Sequence, residues 1–353
     1  MTNPHSAQSQ SQSQFRPRPV IALVPGDPTG IGPEQTARLL SRPETRCVAR
    51  IVLVGDLRVM RMGMRHAGVD IPIAVVAHPG QADHDGAAVP MIDLGNLDPS
   101  GLTLGVADAR VGHRVGETLA AATDLARQGQ VQAICFAPLH KKAMFDGGWR
   151  FADEHQLFAH LLDHKGPFRE MNVLDGQWMS RVTSHVSLRG ALDQITHDNI
   201  CASLELTDRV LRDAGIAEPR IAVAALNPHA GEGGLFGREE IDIIAPAVRD
   251  MAAAGIRCEG PFPSDTVYLK AFRGEFDSVL AMYHDQGQIA TKLRGFNKGV
   301  TVTTGLEVVF TTPAHGTAHD IAGRGIADIG AFESALALAA RLAASRMRER
   351  APA

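Results

Sequence analysis

Three histidines, His185, His229 and His284, each follow a short apolar run of the kind that forms a buried strand. Strand ends that open into glycine-containing loops are where α/β proteins place ligand chemistry. Three neutral imidazoles could converge on one metal ion and leave coordination positions open for a substrate oxygen, as a Lewis-acid site requires. Their long separations along the chain carry no local metal signature, and each histidine alone reads as a hydrogen-bonded structural residue.

Two glycine-containing loops could let the backbone approach a ligand closely. Gly26 and Asp27 open the first loop, whose Gly-x-x-x-Gly-x-Gly pattern differs from the G-x-G-x-x-G of dinucleotide-binding folds. The second loop spans residues 315–328, where Asp320 could accept a ribose hydroxyl. Neither loop carries the Gly-Lys-Ser/Thr ending of a P-loop, and by itself each reads as a tight turn.

Bulk composition excludes several classes of function. A net charge of -4 and an aromatic content of 5% give no basis for a nucleic-acid partner. Four isolated cysteines indicate a reduced, cytoplasmic protein rather than a disulfide-bonded one. No apolar run approaches the ~20 residues that span a membrane. Residues 1–16 are rich in Ser and Gln and predict a disordered tail, so we expect a small-molecule substrate and no membrane or nucleic-acid partner.

Strands and helices alternate along the chain, and this order predicts an α/β fold with a parallel or mostly parallel sheet. The predicted strands cover residues 20–24, 51–55, 71–76, 131–136, 171–174, 181–184, 219–226, 278–283, 300–304 and 308–311. The predicted helices cover residues 35–40, 58–67, 111–128, 154–162, 188–195, 198–214, 238–254 and 331–346. Residues 78–104 are rich in turn residues and predict no regular element, and residues 261–266 read as a loop.

Taken together, these stretches resemble the 4-hydroxythreonine-4-phosphate dehydrogenase family of metal- and NAD-dependent enzymes over nearly the whole chain. The matching segments are GDPTGIGPE at residues 26–34, LNPHAGEGG at 226–234, MYHDQG at 282–287, and HGTA at 315–318 with IAGRG at 321–325. The first and last segments also resemble the isopropylmalate and isocitrate dehydrogenases, which share the fold. The resemblance implies a two-domain α/β subunit with mostly parallel sheets, an inter-domain cleft and a homodimer.

The resemblance also implies how the chain is divided. Residues 17–148 together with 300–353 are expected to form the cofactor-side domain. Residues 149–299 are expected to form the domain that binds metal and substrate and makes the dimer. No internal repeat and no clear linker marks either boundary in the sequence.

Several site residues follow from the resemblance. It implies a divalent metal ion held by His185, His229 and His284, with one of the three donated by the other subunit of a shared active site. Lys292 matches a substrate contact that could assist proton transfer, and His155 matches another substrate contact. The remaining candidates are Lys141 for the substrate, Asp285 for catalysis, and Gly26, Asp27, His315, Gly316, Thr317 and Asp320 for NAD. Lys141 alone reads equally well as a solvated surface lysine.

In the implied reaction, an alcohol β to a carboxylate passes a hydride to NAD⁺, and the resulting β-keto acid loses CO₂. A metal ion lowers the pKa of such an alcohol and stabilises the enolate that develops as CO₂ leaves.

Three positions depart from the family pattern, and all three concern the substrate. Gln156 and Thr301 replace a threonine and an asparagine, and Phe310 replaces an arginine suited to phosphate or carboxylate. Lost polar contacts and a gained aromatic wall indicate a changed substrate, although neutral drift leaves the same pattern. The branch of the family that fits best oxidises the cis-dihydrodiol of terephthalate to protocatechuate with loss of CO₂, which would place the protein in aromatic catabolism.

Two alternatives stay open. One is oxidation of 4-hydroxythreonine-4-phosphate in pyridoxal phosphate synthesis, or of a related phosphorylated sugar acid. The other is a non-catalytic metal- or nucleotide-binding protein. Three histidines accept zinc, which we expect here, and several other divalent ions. The sequence does not distinguish NAD from NADP, because Asp320 would repel a 2′-phosphate only if it faces the ribose.

Overall fold

Twelve strands form one continuous sheet in the structure, a computed structural model that describes residues 18–295 and 298–350. The strands are β1 (Val20–Val24), β2 (Arg50–Gly55), β3 (Ile73–Val75), β4 (Val89–Asp93), β5 (Ala133–Phe136), β6 (Arg169–Leu174), β7 (Gln177–Arg181), β8 (Ile221–Ala224), β9 (Cys258–Phe262), β10 (Ser278–Ala281), β11 (Val300–Thr304) and β12 (Val309–Pro313). Their order is β3-β4-β2-β1-β5-β12-β11-β6-β7-β10-β8-β9. Neighbouring strands are parallel, except that β12–β11, β11–β6 and β6–β7 are antiparallel. The prediction of a mostly parallel α/β fold is therefore confirmed.

Helices connect and cover these strands. The α-helices are α1 (Gly32–Leu40), α2 (Pro43–Val48), α3 (Leu57–Ala67), α4 (Ala109–Arg127), α5 (Lys141–Asp146), α6 (Glu154–Leu161), α7 (Leu188–Gln194), α8 (His197–Asp213), α9 (Ala245–Ala253), α10 (Ser264–Phe272), α11 (His284–Arg294) and α12 (Gly330–Arg350). Short 3₁₀ segments lie at Pro79–Gln81, Pro99–Gly101 and Pro228–Gly234, and a π-helical turn, Glu240–Ile244, leads into α9. Within the described part of the chain, no helix combines the length and the apolar character needed to cross a membrane.

The central strand β1 is buried on both faces. Ile21 and Leu23 point into one hydrophobic cluster, and Ala22 and Val24 point into another on the opposite side of the sheet. This alternation follows from the two-residue period of a strand, and burial on both faces is typical of parallel sheets covered by helices. The carboxyl end of β1 is thereby fixed, and the loop that begins at Pro25 leaves the sheet from a rigid position.

The two segments predicted as domains occupy opposite ends of the sheet. Strands β1–β5, β11 and β12 come from residues 17–148 and 300–353, and they fill the first seven positions of the strand order. Strands β6–β10 come from residues 149–299 and fill the other five. The pair β11–β6 joins the two sets, with Thr301 opposite Asn172. The division into two domains stays a prediction.

Some predicted elements differ from the structure. The strand predicted at 181–184 is instead β7, which ends at Arg181, because β6 and β7 form a hairpin across Asp175 and Gly176. Both of these residues have positive φ, as the tight turns of two-residue hairpins require. His284 begins α11 rather than only ending a strand. Five further elements were not predicted: α2, β4, α5, β9 and α10. The predicted disordered tail at 1–16 lies outside the described residues.

Candidate functional site

A row of polar side chains crosses the middle of the sheet on one face. Thr301 and Thr303 of β11 pair with Asn172 and Glu170 of β6, and residues directly opposite each other on adjacent strands share a face. Arg181, the last residue of β7, donates to Asn172 Oδ1 and lies 3.5 Å from Glu170 Oε1. We call these five residues the polar strip. The strip brings charged groups from three strands together at the seam between the two halves of the sheet.

Asn172 connects the polar strip to helix α11. Its amide nitrogen donates to Thr301 Oγ1 over 3.0 Å, and its amide oxygen accepts a hydrogen bond from Gln288 Nε2 over 2.6 Å. Gln288 lies one helical turn before Lys292, which is exposed on the same helix. The structure therefore links the predicted substrate residue Thr301 to the helix that carries Lys292. Thr301 itself is buried, and its hydroxyl accepts from Asn172.

His155 stands at the other end of the polar strip, in the first turn of α6. Its Nδ1 lies 2.6 Å from Thr303 Oγ1, and its Nε2 lies 3.5 Å from Glu170 Oε2. Burial lowers the pKa of His155, but the carboxylates of Glu170, Glu154 and Asp153 raise it by more, so this pKa stands above its ordinary value. The predicted substrate residue His155 is therefore a cation-prone side chain surrounded by acids.

Glu170 is a fixed anion at the centre of the polar strip. Burial raises the pKa of its carboxyl, while the charge of Arg181 and the contact with His155 lower it by more, so the pKa is held well below its usual range. The side chain is only 10% exposed. Glu170 therefore carries a negative charge at any pH at which the protein works.

Lys141 forms an ion pair with a buried acid. Its Nζ lies 2.9 Å from Glu154 Oε2, and the Glu154 side chain is almost fully buried at the start of α6. Burial lowers the pKa of Lys141, and the adjacent Glu154 carboxylate raises it by more, so the net shift is upward. Lys141 thus lies beside His155, at the edge of the polar strip, rather than standing alone in solvent.

Two of the three predicted metal ligands come together. The rings of His185 and His284 lie 5.5 Å apart. His185 Nδ1 lies 2.8 Å from Asp153 Oδ2, and His284 Nδ1 lies 2.7 Å from Asp285 Oδ1. An imidazole whose Nδ1–H is held by a carboxylate presents its Nε2 lone pair for coordination, which is the usual orientation of metal-binding histidines. His185 and His284 therefore fit a divalent metal ion.

His229 stands apart from this pair. It lies in the segment Pro228–Gly234, and its ring contacts Phe236, with the two centroids 6.3 Å apart. Among the described residues, no three His, Cys, Asp or Glu side chains are arranged to hold a metal ion, so His229 does not complete the site within one subunit. Donation of one ligand by a second subunit stays a prediction.

The backbone around His229 is strained. Residues 229–233 all have positive φ, and His229, Ala230 and Glu232 adopt it without being glycine. Glu240 holds the start of this loop, because its carboxylate accepts from the backbone N–H groups of Leu226 and Asn227 over 2.8 and 2.7 Å. Strain of this kind persists only where the surroundings enforce it, and it clusters at functional sites.

A pocket of ≈ 490 Å³ lies in front of these groups. Its lining includes His155, Gln156, Glu170 and His185. Gln156 is exposed, and its backbone N–H donates to Asp153 Oδ1 over 2.9 Å, which caps α6. The pocket is thus bordered by one predicted metal ligand, two predicted substrate residues and the fixed anion of the polar strip.

The first glycine loop is locked to the end of β5. Gly26 has a φ of +71°, and a Cβ there would stand 2.6 Å from the carbonyl oxygens of Ala137 and Pro138. Asp27 is buried and donates its N–H to Pro138 O, while its Oδ1 accepts from the backbone and hydroxyl of Thr29. These contacts explain why the sequence has Gly26 and Asp27 at this turn. They assign both residues to loop shape and leave their cofactor contact a prediction.

The second glycine loop packs against the first. Ile31 N donates to Thr317 O over 3.0 Å, and Glu34 accepts from the N–H groups of Gly325 and Ala327 over 3.2 Å each. His315 is partly exposed near Gln35, and Gly316 and Asp320 are exposed. A Cβ at Gly316 would meet no atom within 4 Å, so the backbone is open to an approaching ligand. The loop fits a nucleotide, and its occupation by NAD stays a prediction.

Phe310 occupies the core rather than a pocket wall. It is fully buried and stacks on Phe158, with centroids 3.8 Å apart and ring planes 13° apart. Both rings belong to the hydrophobic cluster on one side of the sheet. A side chain with no exposed surface cannot face a substrate ring, so the argument for an aromatic wall is wrong for this residue.

Sequence reasoning missed several polar residues of the site. Glu170 and Asn172 could have been found, because two polar residues at alternate positions of an otherwise apolar strand share one face. Asp153 could have been recognised as a helix cap, but nothing local links it to His185. The residues missed are Asp153, Glu154, Glu170, Asn172, Arg181, Gln288 and Thr303.

Comparison with known proteins places this geometry in a family. The family model described as pyridoxal phosphate biosynthetic protein PdxA matches residues 47–339. A Rhizobium meliloti protein provisionally named 4-hydroxythreonine-4-phosphate dehydrogenase 2 is 48% identical and covers 92% of this chain and 94% of its own length. The D-threonate 4-phosphate dehydrogenase of Cupriavidus necator is 40% identical, with 93% and 98% covered.

Solved structures give the same result. A 4-hydroxythreonine-4-phosphate dehydrogenase from Klebsiella pneumoniae matches with a TM-score of 0.81 and 38% identity over 92% of this chain and 99% of that one. A terephthalate 1,2-cis-dihydrodiol dehydrogenase from Burkholderia xenovorans matches less closely, with a TM-score of 0.61 and 30% identity over 89% and 94%. These relatives are all named dehydrogenases, which confirms the prediction of an oxidoreductase. Family membership implies a nicotinamide cofactor and a divalent metal ion. The chain belongs to the PdxA family.

Proposed function

We propose that this protein oxidises 4-hydroxythreonine-4-phosphate, or the closely similar D-threonate 4-phosphate, with NAD⁺ and a divalent metal ion. The observation that carries the proposal is the placement of His155 beside the paired His185 and His284. Both compounds carry a carboxylate, an alcohol β to it and a phosphate. The site offers a paired imidazole set for a metal ion and a cation-prone imidazole for an anionic group.

The protein's own residues have separable roles in this proposal. His185 and His284 would hold the ion through Nε2, and Asp153 and Asp285 keep those nitrogens free of protons. The bound ion would act as a Lewis acid on the substrate oxygen, and NAD⁺ would accept the hydride. His155 would bind an anionic end of the substrate, and Lys292 is exposed on α11, where it can approach the carboxylate.

The reaction that we propose ends with loss of CO₂. Hydride leaves the carbon that bears the alcohol, the hydroxyl proton is released, and a β-keto acid results. The bond to the carboxyl carbon then breaks, its electron pair becomes an enolate, and a proton returns to carbon. Retaining the metal ion through both steps stabilises the developing negative charge. Zinc is our proposal for the ion, because carboxylate-oriented imidazoles are a common zinc environment.

The dihydrodiol of terephthalate is now the second candidate. The relatives described above support a phosphorylated substrate more closely than an aromatic one. The core position of Phe310 removes the main sequence argument for a ring-binding wall. Gln156 and Thr301 remain as departures from the family pattern, and they bear on which phosphorylated acid is preferred.

The test is NADH formation by purified protein loaded with zinc, with the three substrates run side by side. We expect turnover of a 4-phosphorylated acid and little turnover of the dihydrodiol. His155→Asn should raise the KM of the phosphorylated substrate. His160→Asn, an exposed histidine on the same helix, serves as the matched control. Turnover of the dihydrodiol alone would reverse the assignment of substrate and leave the family unchanged.

A further inference from the structure

The two carboxylate oxygens of Glu170 face different partners. Oε1 lies 3.3 Å from Asn172 Nδ2 and 3.5 Å from the Arg181 guanidinium, so it is directed into the sheet. Oε2 lies 3.5 Å from His155 Nε2 and 3.8 Å from His185 Nε2. The oxygen that is left over by the polar strip therefore points at the coordinating nitrogen of a predicted metal ligand.

The spacing between Oε2 and His185 suits two donors on one ion. Two donors bound at about 2.1 Å stand roughly 3.0 Å apart at a right angle and roughly 3.4 Å apart at the tetrahedral angle. The observed 3.8 Å is close to this range. The His185 and His284 side chains are 35% and 34% exposed, so both are free to rotate onto an ion. Glu170 is the buried and fixed member of the set.

We infer that Glu170 is a direct carboxylate ligand of the divalent metal ion, in addition to the histidines. This inference rests on the proposed metal-dependent function. His185, His284 and Glu170 supply three donors from one subunit, although in the part of the chain described they do not yet stand at coordinating distances. Arg181 keeps Glu170 in place from behind, and Asp153 does the same for His185.

A carboxylate ligand changes the character of the site. It adds a negative charge and a hard oxygen to imidazole nitrogens, which improves binding of ions such as Mn²⁺ and Mg²⁺ relative to a site built from histidines alone. Glu154 offers a comparison, because it is also a buried acid near His155 but pairs with Lys141 and makes no contact with His185 among the described residues. The two acids differ in the one contact that the inference requires.

The experiment compares metal binding by the wild-type protein, Glu170→Gln and Glu154→Gln, using Mn²⁺ and Zn²⁺ without substrate. Titration calorimetry gives the dissociation constants, and the visible absorption of a Co²⁺-loaded sample reports the coordination. We expect Glu170→Gln to weaken Mn²⁺ binding by at least tenfold, to weaken Zn²⁺ binding less, and to change the Co²⁺ spectrum. Glu154→Gln should leave all three unchanged.

Glu170→Gln leaves Arg181 without its acid, which can destabilise the fold. The double variant Glu170→Gln with Arg181→Met removes both charges and should show the same loss of metal affinity. Unchanged Mn²⁺ affinity in folded protein would overturn the inference, as would reduced affinity with an unchanged Co²⁺ spectrum. A raised KM for the amino substrate alone would instead assign Glu170 to its ammonium group. Wild-type turnover is measured separately, so failure of the proposed function is distinguishable from failure of this inference.

Discussion

Asp153 uses one carboxylate oxygen to cap a helix and the other to orient His185. Oδ1 accepts from the N–H of Gln156, and Oδ2 lies 2.8 Å from His185 Nδ1. Asparagine caps helices as well as aspartate does, so Asp153→Asn preserves the first contact. Its amide, however, can donate to Nδ1, which moves the imidazole proton to Nε2 and blocks coordination.

We therefore expect Asp153→Asn to weaken metal binding by about 10- to 100-fold, the usual effect of removing such an orienting partner. Titration calorimetry with Zn²⁺ is the measurement, and the melting temperature without metal is the check on folding. Asp163→Asn, an exposed acid just beyond the same helix, is the matched control. Equal metal affinity in the two variants would contradict a role for the Asp153–His185 contact.

His229 provides a test of a shared active site. If His229 serves the site of a second subunit, His229→Ala and His185→Ala are each inactive alone but complement each other when mixed. A two-fold dimer that exchanges subunits at random gives half heterodimers with one intact site of two, or about a quarter of wild-type activity. NADH formation after co-refolding measures this. Absence of any recovery, with heterodimers detected by mass, would place all ligands of a site in one subunit.

The raised pKa of His155 predicts a pH dependence of substrate binding. Its imidazolium form binds an anion, and deprotonation removes that charge. Because the folded pKa lies above the ordinary value of about 6.5, the charge is fully present below pH 6.5 and is lost as pH rises through the folded pKa. Glu170, Glu154 and Asp153 are the carboxylates that raise this pKa. We expect the KM of the phosphorylated substrate to rise with pH on the alkaline side.

Steady-state kinetics from neutral pH upward measure this effect, since a phosphate monoester is already dianionic there. His155→Asn should show a higher KM that no longer follows this titration. His160→Asn should follow the wild-type profile. A KM that is flat with pH in the wild type would remove His155 from anion binding.

Phe310 should behave as a core residue. Its stack on Phe158 is fully buried, so Phe310→Ala is expected to lower the free energy of unfolding by about 3–5 kcal/mol. Phe310→Leu keeps most of the volume and should cost less, with the substrate KM changed by less than about twofold. Denaturant unfolding and steady-state kinetics give the two values. A large rise in KM with unchanged stability would restore the substrate-wall hypothesis.

The mostly parallel sheet could be predicted because β-rich runs alternate with helical patterns along the chain. Other elements could not, for local physical reasons. Pro90 lies inside β4, and Gly260 and Pro261 lie inside β9, and both residue types argue against strands. The hairpin of β6 and β7 had a usable signal in Asp175-Gly176, a pair that favours tight two-residue turns.

The site was predictable only in part. His155, His185 and His284 were named from the sequence, and the structure brings them to one pocket or pair. Glu170 and Arg181 were not, because their pairing depends on strand register, which places Glu170 opposite Thr303. Phe310 was misassigned because a strand position alone does not say which face of the sheet is covered by a helix.

The continuous pairing of β6 with β11 limits how the two halves of the molecule can move. Hydrogen bonds along this pair prevent sliding, so twisting about the strands is the freedom that remains. Glu170 faces Thr303 across this pair, and His155 of one half contacts Thr303 of the other. Any change of twist therefore alters the distance between these groups. A molecule that contacts both halves would act as a wedge or a clamp on the sheet, and its length would set the angle between them.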